Sequence, residues 1–273
     1  MRFCFTHSIV SSVFLGELVE ALLAGPLSDI FGRKPVTLIG VLLIAIIGFA
    51  SAFSSNIGVF LLLRTLTGVG IGTSAVPYDL VTEVFPRKYR GRVMAAFDAW
   101  WCFGSLLTIF FAWLVLSSPH GWRKLVICCS GSVLLSAALA TQIPESPRWL
   151  LAQGRVQEAE DVVRFIAKVN GVNIADMALV GPKASPESPD DDIVDEKGPF
   201  LYLEGPRFKD RLKTAAIIVV WLLVGFSFYG ITLLLTREAT AGEANCTFDF
   251  VYLFSIYLTE VAGLIISYFT IDW

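Results

Sequence analysis

The sequence predicts an all-α protein that crosses a membrane seven times, and three observations carry that expectation. Hydrophobic residues make up 55% of the chain against 16% charged, with a mean hydropathy of +0.67, well to the apolar side of water-soluble domains. Seven windows of roughly 17 to 25 mostly apolar residues are each long enough to cross about 30 Å of hydrocarbon. Arg and Lys gather in alternate connections between those windows, as basic cytosolic loops do.

The windows run from Ser8 to Leu27, Val36 to Phe53, Ile57 to Tyr78, Arg92 to Leu116, Lys124 to Ile143, Thr214 to Thr236 and Phe248 to Ile271. Inside lipid every backbone amide must be satisfied within its own segment, so each run is expected to be a helix rather than an open strand. Met1 to His7 is too short for the basic region of a signal peptide, and no small-residue cleavage site follows the first run. That helix is therefore expected to stay in the mature protein.

Between the first two windows lies Gly25-Pro26-Leu27-Ser28-Asp29-Ile30-Phe31-Gly32-Arg33-Lys34. Glycines at both ends tolerate sharp backbone angles, Pro26 and Pro35 are expected to break the helices, and Arg33-Lys34 favours the cytosolic side. The segment reads as a tight cytosolic elbow. Arg87, Lys88, Arg90 and Arg92, then Arg148 and Arg155, mark the next basic connections, whereas Ser54-Ser55-Asn56 carries no charge. Met1 is then expected outside and Trp273 inside. Arg123 and Lys124, on the expected outer side, are the exception to the pattern. Asn245-Cys246-Thr247 lies in the last outer loop and fits an N-glycosylation acceptor at Asn245.

The long connection after Pro144 holds two different segments. From Arg155 to Val169 the apolar Val156, Ala159, Val163 and Ile166 fall near one helical face, with Glu158, Asp161, Arg164 and Lys168 largely elsewhere, which predicts an amphipathic surface helix. Pro182 to Pro199 combines four prolines with a cluster of acidic residues and reads as disordered linker. The chain thus divides into residues 1–143 with five membrane helices, 144–213 as a cytosolic loop, and 214–273 with two further helices.

Composition also excludes classes. The formal charge of −3 shows no basic nucleic-acid footprint, and five scattered cysteines give neither a disulfide framework nor a metal-ligand spacing. His7 and His120 sit at membrane edges, and no nucleotide-binding loop or nucleophile with a base is visible. No catalysis, metal or cofactor is expected; the partner that composition implies is the lipid bilayer.

Ionisable residues inside apolar runs cost roughly 2.5 to 3.5 kcal/mol at a helix centre and usually face a cavity or a partner. Glu17 and Glu20, three residues apart, share a helix face and are candidate proton carriers. Asp98, beside Trp100 and Trp101, is a candidate for substrate or cation binding. Arg64 and Glu260 are the remaining candidates. Asp29, Arg33, Lys34, Glu83, Arg90 and Arg92 lie at the cytosolic surface, where an ion-pair network latching one conformation is the expectation.

Four motifs carry a family resemblance. The elbow, with Gly25, Asp29, Gly32, Arg33 and Lys34, resembles the G-x-x-x-D-x-x-G-R-K/R loop of major facilitator superfamily transporters, with Ile30 where that family usually has Arg or Lys. Pro144-Glu145-Ser146-Pro147-Arg148-Trp149-Leu150 resembles the sequence closing the sixth helix of sugar-porter-like and organic-ion-transporter-like facilitators. Arg64 to Gly72 resembles the family's fourth helix, and Glu83 to Gly91 the acidic-then-Arg-Gly connection after it. Leu223 to Leu234 and Tyr257 to Gly263 look like the seventh and eighth helices of the synaptic-vesicle-two-related (SVOP-like) group.

The resemblance implies twelve helices in the family, of which this chain lacks the first and the last four. It implies a secondary transporter or facilitator of a small polar or ionic solute, working by alternating access, with proton coupling as a further expectation. The expected setting is the plasma membrane or an intracellular vesicle. It also favours an acidic charge partner for Arg64, aligns Asp98 with an acidic position of the group, and places Glu145 and Arg148 in the cytosolic gating set. A second chain supplying missing helices would complete the path. Two other classes, a non-transporting membrane interaction protein and a seven-helix receptor, are expected to fit less well.

Overall fold

The computed structural model describes residues 2–172, 208–241 and 250–271. The described residues form helices only: α1 (Arg2–Phe31), α2 (Arg33–Ser51), α3 (Ile57–Gly72), α4 (Ala75–Val84), a 3-10 turn at Arg87–Tyr89, α5 (Arg90–Val115), α6 (Gly121–Ala140), α7 (Pro147–Ala152), α8 (Val156–Val169), α9 (Phe208–Ala241) and α10 (Phe250–Thr270). Seven spans among them are long and apolar enough to cross a membrane, one being α3 and α4 end to end. The expected disordered linker at Pro182 to Pro199 and the expected glycosylation acceptor at Asn245 lie outside the described residues.

The elbow differs from the expectation. It is one residue long, because α1 runs through Pro26 to Phe31 and α2 starts at Arg33, leaving only Gly32 outside the helices. Helix α1 continues through Pro26, and its last turn closes with the Gly32 N–H and an Arg33 terminal nitrogen both donating to the Ser28 carbonyl, at 3.0 and 2.9 Å. Pro35 falls in the first turn of α2, where a backbone N–H has no intrahelical partner to lose.

The third window also divides. Pro77 has no N–H to give the Thr73 carbonyl, so the Val76 N–H takes it instead, at 3.0 Å, and the helix restarts as α4. Asn56 begins α3 by accepting from the Val59 N–H at 2.9 Å. The expected surface helix is present as α8, with Ala159 fully buried and Val156, Val163 and Ile166 partly buried.

Packing rests on small residues, as it must where lipid tails are as apolar as leucine. Helix α1 lies directly on α3, and the backbones touch. A Cβ on Gly68 would run into the Val13 carbonyl and come within 3.2 Å of the Glu17 amide, while one on Gly16 would meet the Val69 amide at 2.7 Å. Helix α2 packs against both α3 and α6, and α10 packs against α5. Many large apolar side chains face outward, such as Leu18, Leu62, Trp221 and Val251, as lipid contact requires.

Arg123, expected as a charge at the outer surface, is instead drawn into the fold. Its guanidinium donates to the Ser54 carbonyl at 3.1 Å and lies 5.0 Å from the Trp122 ring centroid. It ties the α2–α3 connection to α6, which accounts for its departure from the charge rule.

Gly68→Val is expected to lower stability by about 1 to 3 kcal/mol through overpacking against the α1 backbone. Gly25→Ala, in open helical space, is expected to gain about 0.5 to 1 kcal/mol from helix propensity. Thermal unfolding of the two variants in detergent, followed by circular dichroism, checks the opposite signs.

Candidate functional site

At the face that the basic loops mark as cytosolic, four chain segments meet. Gly32 has φ +102, in the region that favours glycine, and a Cβ there would strike Glu145 Oε2. The missing side chain lets the Glu145 carboxylate reach the start of α2. Glu145 Oε1 accepts from the Arg33 N–H at 3.0 Å, the Lys34 N–H at 3.2 Å and the Ser146 N–H at 2.8 Å. A carboxylate at a helix N-terminus satisfies orphan donors and opposes the positive end of the helix dipole.

Arg33 extends the junction. One terminal nitrogen pairs with Asp29 Oδ1 at 2.8 Å and the other with Glu83 Oε1 at 3.5 Å. The Ser146 hydroxyl donates to the other Glu83 oxygen and accepts from the Trp149 N–H at 3.2 Å, capping α7. Trp149 Nε1–H returns to the Asp29 carbonyl at 2.8 Å, and Lys34 Nζ donates to the Thr141 carbonyl at 2.9 Å. Ends of α1, α2, α4 and α6 are thereby joined to α7.

The expected network is thus assembled in part. Asp29, Arg33, Lys34, Glu83 and Glu145 come together around Gly32, with Gly25 two turns back on α1. Arg90 donates to the Phe85 carbonyl at 3.0 Å instead; Arg92 stands in the first turn of α5, and Arg148 is exposed on α7. Ser146 and Trp149 are members that the charge-based reading passed over. Their signal was present as a Ser-Pro helix start followed by an aromatic donor. At the start of α8, the exposed Arg155 guanidinium, 2.6 Å from Glu158, holds the Glu158 carboxyl below its usual range through its hydrogen bond.

The opposite end carries a cavity of about 860 Å³, reaching the Ser54–Asn56 connection. Glu17 and Arg64 line it, together with Arg123, Phe14, Phe60, Trp101, Trp122 and Tyr229. The aromatic residues, like Arg123, were not among the expected site residues, because α1, α3, α5, α6 and α9 each contribute only one or two of them. Phe60 and Trp122 meet edge to face at 5.7 Å, as do Phe14 and Tyr229 at 4.9 Å.

The other candidates lie elsewhere. Glu20 is buried away from the cavity, its stem against α3, where a Cβ on Gly72 would meet Glu20 Cβ at 2.6 Å. Asp98 accepts the Tyr78 hydroxyl at 2.7 Å, beside the Tyr78–Phe97 ring contact. Glu260 is on α10, near the point where the Cys102 thiol meets the Tyr257 carbonyl at 3.6 Å.

This architecture, with a bonded junction at one end and a cavity toward the other, is that of a multi-pass helical membrane protein. The family pattern described as sugar (and other) transporter matches residues 5–236, and the chain belongs to that family. It is 31% identical over 228 residues to the mouse protein solute carrier family 22 member 21, covering 82% of this chain and 39% of that protein. It is likewise 31% identical over 241 residues to the mouse putative transporter SVOPL, covering 87% of this chain and 46% of the relative. The SVOP-like resemblance is borne out.

A partially occluded inward-open structure of the Escherichia coli xylose transporter XylE superposes with a TM-score of 0.54 at 27% identity, covering 58% of this chain and 43% of XylE. This is the major facilitator fold expected from the motifs. The chain spans about half the length of the curated relatives it matches.

Arg33→Gln is expected to open the junction more than Asp29→Asn, because Asp29 is 50% exposed whereas Arg33 and Glu83 are each 15% exposed. With Ser28→Cys as a buried reporter, thiol labelling is expected to accelerate about tenfold in Arg33→Gln and only a few-fold in Asp29→Asn. Equal rates in the two variants would contradict this ranking.

Proposed function

We propose that this chain forms one wall and the cytosolic latch of a transporter that moves a small polar or ionic solute across a membrane by alternating access. The observation that carries the reading is the asymmetry of the structure. Side chains from distant segments stitch the cytosolic ends together around Glu145 and Arg33, while the cavity containing Glu17 and Arg64 reaches the Ser54–Asn56 connection. Rocking two helical halves about a midplane site requires such a latch on one side whenever the path opens on the other.

In this reading residues 1–143 supply most of one half, 144–213 the cytosolic loop and 214–273 the first helices of the other half. Additional helices, from further chain or from a second chain, complete the path. Solute movement needs no bond-making chemistry and no nucleic acid. The family membership supports transport over the receptor and non-transporting readings, and the SVOP-like relatives suit a vesicle or plasma membrane.

Glu17 is the proposed proton carrier, being the acidic candidate that lines the cavity. Glu20, Asp98 and Glu260 are then assigned to packing and helix-to-helix contacts. In proteoliposomes with an imposed pH gradient, uptake from a panel of labelled organic anions, cations and sugars is expected to fall about tenfold or more in Glu17→Gln. Gradient-driven uptake at the wild-type rate in that variant would remove Glu17 from the coupling role, and no uptake of any solute by the wild-type assembly would overturn the transport reading.

A further inference from the structure

Helix α4 is short and set apart from α3. Where the two meet, Pro77 offers no N–H to the Thr73 carbonyl, and tighter bonds three residues apart carry the chain round, from the Thr73 N–H to the Gly70 carbonyl at 3.3 Å and from the Ser74 N–H to the Ile71 carbonyl at 3.0 Å. Thr73 is buried at this point. Its hydroxyl donates to the Gly70 carbonyl at 2.8 Å, and its side chain fills the notch that Gly40 leaves in α2. Helix α3 is interlocked with the α1 backbone through Gly68, whereas α4 is joined to it only across this weakened turn.

The far end of α4 carries Glu83, which meets Arg33 at 3.5 Å and the Ser146 hydroxyl in the cytosolic junction. Midway along, the Tyr78 hydroxyl donates to Asp98 Oδ1 on α5 at 2.7 Å, with its ring edge to face on Phe97 at 4.6 Å. Within a membrane span a phenol hydroxyl has no water to replace a lost partner, and its bond to an ionised carboxylate is of the strong, charge-assisted kind. Tyr78 is five residues from Thr73 and Glu83 is ten. At a helical rise of 1.5 Å per residue, a tilt about Thr73 that moves Tyr78 by about 1 Å moves Glu83 by about 2 Å. A contact already 3.5 Å long does not survive that displacement.

We infer that Asp98 is a positioning residue of the cytosolic junction: by holding Tyr78 it fixes the tilt of α4 about Thr73, and so keeps Glu83 within reach of Arg33 and Ser146. The inference rests on the reading of that junction as a transporter's latch. It gives a role beyond packing to an acidic residue that lines neither the cavity nor the junction.

The test uses the purified 273-residue chain in lipid nanodiscs, with Ser28→Cys as the junction reporter and its labelling read by mass spectrometry of the peptide. Asp98→Ala and Tyr78→Phe are each expected to accelerate labelling about tenfold, and the two together no further than either alone. Asp98→Asn keeps an acceptor for the hydroxyl and is expected to stay within about threefold of the unsubstituted residue. In a Glu83→Gln background, where labelling is already fast, Asp98→Ala should add less than about twofold. Amide exchange at Leu66 to Gly70, in the part of α3 packed on α1, should not change, which a general loosening of the bundle would not allow.

Unchanged labelling in both Asp98→Ala and Tyr78→Phe would overturn the assignment, as would a full tenfold effect of Asp98→Ala on top of Glu83→Gln. Should Asp98→Ala fail to fold, Tyr78→Phe, which removes a single hydroxyl, replaces it in each comparison. Labelling needs no solute, so its failure is distinguishable from a failure of transport: solute uptake in liposomes with labelling unmoved by either variant would keep the transport reading and discard this one.

Discussion

Glu145 stands 112 residues from Arg33, yet its carboxylate accepts the first amides of α2 and, from its own side, the Ser146 N–H. Helix α2 begins one residue after α1 ends and has no side-chain cap of its own. At a membrane edge those first N–H groups need an acceptor, and a local cap is excluded because the preceding residue must be glycine to make the turn. The elbow between the first two helices is therefore completed by the end of the sixth. Once Glu145 is seated there, Ser146 and Trp149 fall into reach of Glu83 and Asp29, and Arg33 is held between two acidic groups.

This dependence makes the cytosolic face a single unit, while the opposite face is held differently. There the helices are joined by backbone contact through Gly16 and Gly68, by the Arg123 bond to Ser54, and by ring contacts around the cavity. Charged hydrogen bonds can be exchanged for others as helices tilt, whereas interdigitated backbones move as a body. The proposed rocking rests on this contrast between a hydrogen-bonded junction at one end and helix pairs in backbone contact.

Much of the fold was legible in the sequence, because lipid imposes one rule on every span. Seven apolar runs of bilayer length appeared as seven spans, and the periodic apolar face of α8 appeared on the buried side. Helix ends were less legible. Pro26 and Pro35 were read as breakers, but α1 continues through Pro26, and Pro35 falls in the first turn of α2, whose leading amides are met by a carboxylate more than a hundred residues away. The cytosolic junction was visible as clustered charge, although Arg90 turned to a backbone carbonyl. The cavity was half visible. Buried charge announced Glu17 and Arg64, whereas Arg123 resembled a surface residue and the aromatic walls came from five helices whose proximity no local pattern encodes.

The most direct test of the Glu145 junction is hydrogen exchange at the backbone amides of Arg33 and Lys34 in the folded protein. With the carboxylate in place both amides should exchange slowly, and in Glu145→Ala both should exchange at least about tenfold faster, while amides from Thr37 onward, bonded within α2, stay protected. Unchanged protection of Arg33 and Lys34 in Glu145→Ala would mean that the elbow holds itself, and that the distant carboxylate is not what completes it.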